Sequence, residues 1–143
     1  MEVKLNKATP EQLKTTPASM SGVVFGTQFS DHMFCMEWED GKGWHNAEIK
    51  PYGPLLMEPS AMVLHYAQMA FEGLKVYRTD SGENVLFRPR ENFKRMNRTA
   101  QRMCLPEIDV EEVLDALKQL LRLDSAWVPH ESGTTLYIRP TIV

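Results

Sequence analysis

Apolar residues change their spacing several times along this chain, and each change marks an element. Val110, Val113, Leu114, Leu117, Leu120 and Leu121 fall at i, i+3, i+4, i+7, i+10 and i+11. That is the one-sided stripe of an amphipathic helix. Asp109 stands ahead of it with Glu112 three residues on, a pairing that predicts a capping box. Phe93, Met96, Ala100 and Met103 repeat the helical spacing and predict an earlier helix starting at Pro89. Proline is harmless there, because the first helical N–H has no intrahelical partner. Leu105-Pro106 is expected to stop this helix. Elsewhere the chain reads as strands. His32–Trp38 and Trp44–Lys50 flank Asp40-Gly41, a hairpin signal. Phe71–Arg78 and Val85–Arg88 flank the turn Asp80-Ser81-Gly82-Glu83. Thr134–Arg139 is the last strand, with Pro140–Val143 as its continuation. Pro51–Pro59 and Asp124–Gly133 read as loops, and Ser60 is expected to cap a short helix ending near Tyr66.

Residues 1–22 break this pattern. They are polar and interrupted by Thr9-Pro10 and Thr16-Pro17, which denies them a long helix and predicts an extended arm. Residues 23–143 hold the remaining elements. Strands, a pair of helices, then strands again predict an α+β domain. The expected form is a two-layer sandwich in which a largely antiparallel sheet is covered on one face by two main helices.

Composition narrows the function classes. The chain has 143 residues, 43% hydrophobic and 24% charged, with a formal net charge of −3. A chain of this size buries a core without staples. A mildly acidic balance argues against nucleic acid or an anionic membrane as partner, since both select basic surfaces. Cys35 and Cys104 have no metal-type spacing and are too few for a disulfide scaffold. They read as reduced thiols, so a cytoplasmic location is expected. The lysine-bearing N-terminus lacks the apolar run of a secretory signal. His32, His45, His65 and His130 show no ligand spacing, and no metal is assigned.

Two groups of residues can carry chemistry. Arg95, Arg98 and Arg102 form a stripe on the Pro89 helix. A basic stripe is ordinarily a solvated face, but a guanidinium turned inward suits a phosphate, to which its planar fork gives two parallel charge-assisted bonds. Tyr137 and Arg139 are two apart in a strand and share a face opposite Leu136 and Ile138. Taken alone they could be an exposed sheet face. As a pair, a hydroxyl donor beside a guanidinium suits a carboxylate.

Several segments carry a resemblance. Leu64-His65-Tyr66, then after four residues Phe71-Glu72-Gly73-Leu74-Lys75, is similar to the first signature of the branched-chain amino acid aminotransferases. Those enzymes belong to pyridoxal phosphate fold type IV, with the D-amino acid aminotransferases and aminodeoxychorismate lyases. Phe87-Arg88-Pro89 followed by Lys94-Arg95-Met96 resembles the segment whose arginine meets the cofactor phosphate, at Arg95. Leu136-Tyr137-Ile138-Arg139-Pro140 resembles the second signature, in which Tyr and Arg recognise substrate carboxylate. Phe25, Tyr66 and Phe71 match positions lining the pocket for an aliphatic side chain, with Phe29 a competing candidate for Phe25. His65 is expected to be a hydrogen-bonding scaffold residue. The resemblance runs from about Phe25 to Val143, and Trp127-Val128-Pro129 adds to it.

The resemblance implies an enzyme that moves an amino group between leucine, isoleucine or valine and 2-oxoglutarate, as a cytoplasmic homodimer in amino-acid biosynthesis. It also exposes a gap. Pyridoxal phosphate enzymes need a lysine for the Schiff base. In this family that lysine follows the second signature, in a Lys-x-Gly-Gly-Asn-Tyr context that none of the lysines here has. The expectation is an N-terminal domain without the catalytic lysine, inactive alone and completed by its own C-terminal domain. The alternatives are a stand-alone carboxylate-binding or dimerisation module, or another fold type IV enzyme.

Overall fold

The computed structural model describes residues 1–143. Helix α2 (Pro89–Arg102) and helix α3 (Val110–Leu123) are the two long helices. They bury most of the stripes expected of them, Phe93, Met96 and Ala100 from α2 and Val113, Leu114, Leu117 and Leu121 from α3, with Ala116 added, while Met103, Val110 and Leu120 are half-buried at the margin. A short helix, α1 (Met62–Tyr66), buries no residue.

The helices pack on strands β4 (Ala70–Phe71), β5 (Leu74–Arg78) and β8 (Thr141–Ile142). Ala70, Leu74, Val76 and Ile142 join the helical side chains and Val128 in one core, with Leu136 and Ile138 of β7 (Leu136–Ile138) packed against it. The α+β architecture is therefore as expected, and most strand pairs are antiparallel. The single sheet is not. Strands form three small sheets, ordered β1-β3-β2, β4-β8 and β6-β5-β7. The first holds β1 (Lys4–Leu5), β2 (His32–Glu39) and β3 (Gly43–Pro51); β6 is Asn84–Leu86.

Two strand expectations need correction. Phe71–Arg78 is broken after Phe71, and Pro140–Val143 does not extend β7 but crosses to pair with β4, with Ala70 opposite Ile142 and Phe71 opposite Thr141. The cause is local. The Glu72 N–H donates to the Pro140 carbonyl, 3.0 Å. At the next residue, side chains take over the backbone groups: Gly73 N–H donates to Glu72 Oε2 at 3.1 Å, and Asn92 Nδ2 donates to the Gly73 carbonyl at 3.1 Å. A ladder cannot continue through groups already satisfied from the side.

Helix ends also differ in detail. Asp109 caps α3 by accepting from the N–H groups of Glu111 and Glu112, both 2.9 Å. Glu112 does not close the box; its carboxylate pairs with the N-terminal ammonium of Met1. The residue at the α1 cap position is Ala61, not Ser60, and no side chain bonds there. Helix α2 ends before Leu105-Pro106. Cys104 takes a left-handed conformation, φ 54°, and Leu105 N–H returns to the Ala100 carbonyl at 2.9 Å. That is a Schellman ending with cysteine where glycine is usual.

The N-terminal segment is held at several points and turns once at Thr9, whose carbonyl accepts from Gln12 N–H at 2.9 Å. Lys4 and Leu5 pair in parallel with Glu48 and Ile49. Ala8 N–H donates to His32 Nε2 at 2.9 Å, and buried His32 Nδ1 bonds Asp124 at 2.6 Å. An accepting Nε2 leaves Nδ1 to carry the proton and donate it to the carboxylate.

Candidate functional site

The face of β7 turned away from the core carries Tyr137, and Arg139 follows the strand on the same side. Arg139 Nη2 donates to the Tyr137 hydroxyl oxygen at 3.0 Å. The guanidinium carbon lies 4.6 Å from the Phe71 ring centre and 5.3 Å from that of Tyr137. Phe25 meets the Tyr137 ring edge-on, centroids 5.1 Å apart. Phe29 instead stacks on Tyr52 at 4.9 Å. So of the two phenylalanines left open by the sequence, Phe25 is the one beside Tyr137.

These four residues make an apolar wall with one cation and one hydroxyl at its edge. Phe25 is 75% exposed and Phe71 54%, which leaves their rings open to an incoming group. The Tyr137 oxygen accepts from Arg139 and keeps its own O–H to donate. Arg139 likewise has N–H groups beyond the one it gives to Tyr137. The arrangement can take a carboxylate at the edge and a hydrocarbon against the rings.

Tyr66 is not brought into this group. It ends α1, is 75% exposed, and its ring lies near that of His65, centroids 6.3 Å apart. His65 Nε2 bonds the Pro59 carbonyl at 2.8 Å, a scaffold contact for the loop before α1.

Gly73 sits behind Tyr137. A Cβ there would lie 1.9 Å from the Tyr137 hydroxyl oxygen and 2.8 Å from the ring carbon bearing it. The tyrosine therefore rests on bare backbone, and a side chain at this position would displace it.

Arg95 leaves α2 toward the same segment. Its Nε and Nη2 donate to the two oxygens of Glu72 at 2.5 and 2.7 Å. Glu72 is 5% exposed on its side chain while Arg95 is 59% exposed. The Arg95 guanidinium, helped by the Gly73 N–H and Asn92, holds the Glu72 carboxyl below the usual carboxylate range against the opposing effect of burial. Arg95 also lines an open hollow of about 250 Å³ with Phe87, Arg88, Glu91 and Asn92. Two of its five N–H groups face Glu72, so three remain for an anion in that hollow. The donor set fits a phosphate contact, and no residue here supplies a lysine in the expected context. Arg98 and Arg102 are exposed farther along α2.

Sequence reasoning did not single out Glu72, although a signal existed. Ala70, Leu74 and Val76 are buried at alternate positions, and Glu72 falls in the same register. A carboxylate at an inward position of an apolar strand requires a partner.

A larger hollow, about 500 Å³, lies against β1, β2 and β3 and includes none of these residues. No group of His, Cys, Asp and Glu side chains has metal-site geometry. No helix is long and apolar enough to cross a membrane.

No family model matches the chain. It is 52% identical over 130 residues to branched-chain-amino-acid transaminase 1 of Bacillus subtilis, covering 91% of this chain and 36% of that protein. It is 47% identical over 137 residues to the cytosolic branched-chain-amino-acid aminotransferase of Saccharomyces cerevisiae, covering 96% of this chain and 36% of that protein. The crystal structure of an Escherichia coli branched-chain amino acid aminotransferase superposes with a TM-score of 0.54 at 25% identity, over 66% of this chain and 29% of that one. The chain thus spans about a third of the length of the curated relatives it matches.

Proposed function

We propose that this chain, which belongs over that third to the branched-chain aminotransferase family, is the N-terminal domain of a transaminase. The reaction is amino-group exchange between leucine, isoleucine or valine and 2-oxoglutarate. Residues 23–143 form the domain and residues 1–22 its arm. The remaining protein supplies the lysine-bearing C-terminal domain, and the whole works as a cytoplasmic homodimer in amino-acid biosynthesis. Pyridoxal phosphate, when bound, supplies the electron sink for the transfer. This chain contributes binding: Arg95 to the phosphate, Phe25, Tyr66 and Phe71 to the aliphatic side chain, and Tyr137 with Arg139 to the glutamate carboxylate. Tyr66 is included on its sequence match, since it stands apart from the other rings.

The observation that carries this reading is Arg139 over Phe71, bonded to Tyr137 and bordered by Phe25. One pocket must accept a branched hydrocarbon in one half-reaction and a second carboxylate in the other. A lone carboxylate buried against those rings would cost more than the roughly 2–7 kcal/mol of an unpaired neutral polar group. A half-solvated guanidinium at the edge offsets that cost for glutamate and stays hydrated when leucine is bound.

The test is Arg139→Gln in the full-length protein. Losing one or two charge-assisted bonds is worth about 1.5–3 kcal/mol, roughly a tenfold to hundredfold loss. The half-reaction rate should fall by that factor for glutamate and much less for leucine. Equal losses for both would mean that Arg139 serves the fold or the shared α-carboxylate, and the assignment would fall.

A further inference from the structure

Glu72 is the one carboxylate of this region that is almost fully buried, and every polar group around it is a donor. Arg95 gives two bonds, at 2.5 and 2.7 Å. Gly73 N–H gives one at 3.1 Å and Asn92 Nδ2 one at 3.3 Å. Asn92 also bonds the Gly73 carbonyl, and Gly73 is the bare backbone on which the Tyr137 hydroxyl rests. The carboxylate therefore stands between the proposed phosphate contact and the proposed substrate-carboxylate contact, bonded to the first and adjacent in chain to the seat of the second.

A solvent-exposed arginine on a helix has several rotamers of similar energy. Arg95 is 59% exposed, so packing alone does not select one. A bidentate bond to a buried, immobile carboxylate does, because the planar fork matches in one orientation. The three N–H groups left over are then aimed by the two that are engaged. We propose that Glu72 is a positioning residue: it fixes the Arg95 guanidinium with its free N–H edge toward the cofactor phosphate. This rests on the reading of Arg95 as the phosphate contact.

The proposal makes a prediction whose sign is its test. If charge alone governed, replacing Glu72 by a neutral residue would remove a negative charge beside the phosphate and tighten binding. If positioning governs, the same change weakens binding. Partners that orient a binding group from behind are typically worth about 10–100-fold in affinity where this has been measured at metal sites. For a phosphate shared with other contacts the lower end, about tenfold, is expected.

The experiment uses the full-length protein freed of cofactor, with pyridoxal phosphate and pyridoxal as probes. Affinities are measured by calorimetry, and the bound phosphate is followed by phosphorus NMR. Arg95→Gln comes first. A loss for pyridoxal phosphate without a loss for pyridoxal upholds Arg95 as the phosphate contact. Equal effects on both remove that reading and the proposal with it. With Arg95 upheld, Glu72→Gln should weaken pyridoxal phosphate about tenfold, leave pyridoxal unchanged and shift the phosphorus resonance. Unchanged or tighter binding of pyridoxal phosphate overturns the positioning role while leaving Arg95 in place. An equal loss for both probes marks Glu72 as merely structural and overturns it too. Where Glu72→Gln does not fold, Glu72→Asp carries the test. It keeps the charge but shortens the reach by one methylene, so a loss in the same direction supports positioning and wild-type affinity overturns it.

Discussion

Helix α2 makes two bidentate arginine–carboxylate pairs of almost the same geometry, and they do different things. Arg90 donates to Glu111 at 2.6 and 2.8 Å. Arg95, little more than one turn on, donates to Glu72 at 2.5 and 2.7 Å. Bond lengths do not tell the pairs apart. The surroundings do: the Glu111 side chain is 60% exposed, that of Glu72 is 5%. Glu111 is free to exchange Arg90 for water at little cost, which is why exposed pairs contribute little. Glu72 has little access to water, and its donors Arg95 and Asn92 come from one helix while Gly73 follows it in the chain. One pair is surface decoration linking α2 to α3. The other is an anchor that sets both an arginine rotamer and a strand break.

The largest expected difference between the two pairs is in stability. Glu72→Ala leaves the Gly73 N–H without its acceptor, takes from the Asn92 amide one of its two acceptors, and opens a void at an inward position. Bonds to a charged group are worth about 1.5–3 kcal/mol. The half-solvated Arg95 recovers water and reduces this, so a loss of about 1–2 kcal/mol is expected. Glu111→Ala should leave the urea midpoint within error. Comparable shifts for the two variants would show that burial of the carboxylate is not what separates the pairs.

A second difference is in pH. Both carboxyl groups are held below their ordinary range, each chiefly by its arginine. A depressed folded-state pKa gives stability that is fully present above the ordinary carboxylate value, 4.5 for Glu72, and lost as pH falls through the folded-state value. Acid unfolding of the wild type should therefore contain a contribution from Glu72 below that value, and Glu72→Gln should flatten it. Salt separates the pairs. At about 1 M the screening length is near 3 Å, so the contribution of the exposed Glu111 shrinks while that of the buried Glu72 carboxylate is screened much less. An acid limb in Glu72→Gln as steep as in the wild type would break the distinction.

Gly73 sharpens the comparison from the other side. If the Glu72–Gly73 segment is an anchor, it cannot yield to a new side chain. Gly73→Ala puts a methyl group 1.9 Å from the Tyr137 oxygen, and overpacking of this kind costs about 1–3 kcal/mol when the neighbours cannot move. Tyr137 lies on an open face and can swing out, so the lower end, about 1 kcal/mol, is expected. The sensitive readout is the edge-on contact of Phe25 with Tyr137, which ring-current shifts report. Unchanged shifts would mean that the backbone moved instead and that the segment is not rigid.

Much of this was legible in the sequence. Helix α3 followed from six apolar residues on one face, and the β2–β3 hairpin from Asp40-Gly41. The pairing of Tyr137 with Arg139, opposite Leu136 and Ile138, followed from strand alternation. The break after Phe71 did not, because it depends on Asn92 and Arg95 reaching in from a helix about twenty residues away. Helical spacing shows which way a side chain points, not which backbone it meets. Nor did the crossing of β8 to β4 follow, since Pro140–Val143 has the same composition whether it continues a strand or changes partner. Glu72 was readable in principle as a charge in a buried register; its resolution required knowing that Arg95 lies opposite.

The smallest expected effect belongs to the exposed pair, and it decides what Glu111 is for. Glu111 sits in the first turn of α3, where a negative charge is favoured by the helix dipole whether or not Arg90 is near. Removing Glu111 therefore mixes two surface terms. Removing Arg90 deletes the pair and also a positive charge in the first turn of α2, where that helix's dipole disfavours it. A double-mutant cycle with Arg90→Gln and Glu111→Gln isolates the pairing, and the same cycle on Arg95→Gln and Glu72→Gln gives the buried reference. The buried pair should show clear coupling, because Glu72 without Arg95 is a desolvated charge with neutral donors only. The exposed pair should show coupling indistinguishable from zero at high salt, with whatever Glu111→Gln costs surviving in the Arg90→Gln background. That residue of effect is the helix-dipole share. If the exposed pair couples as strongly as the buried one, then Arg90 is as firmly held as Arg95, geometry outweighs burial, and the reason for treating Glu72 as the organising carboxylate of this domain is lost.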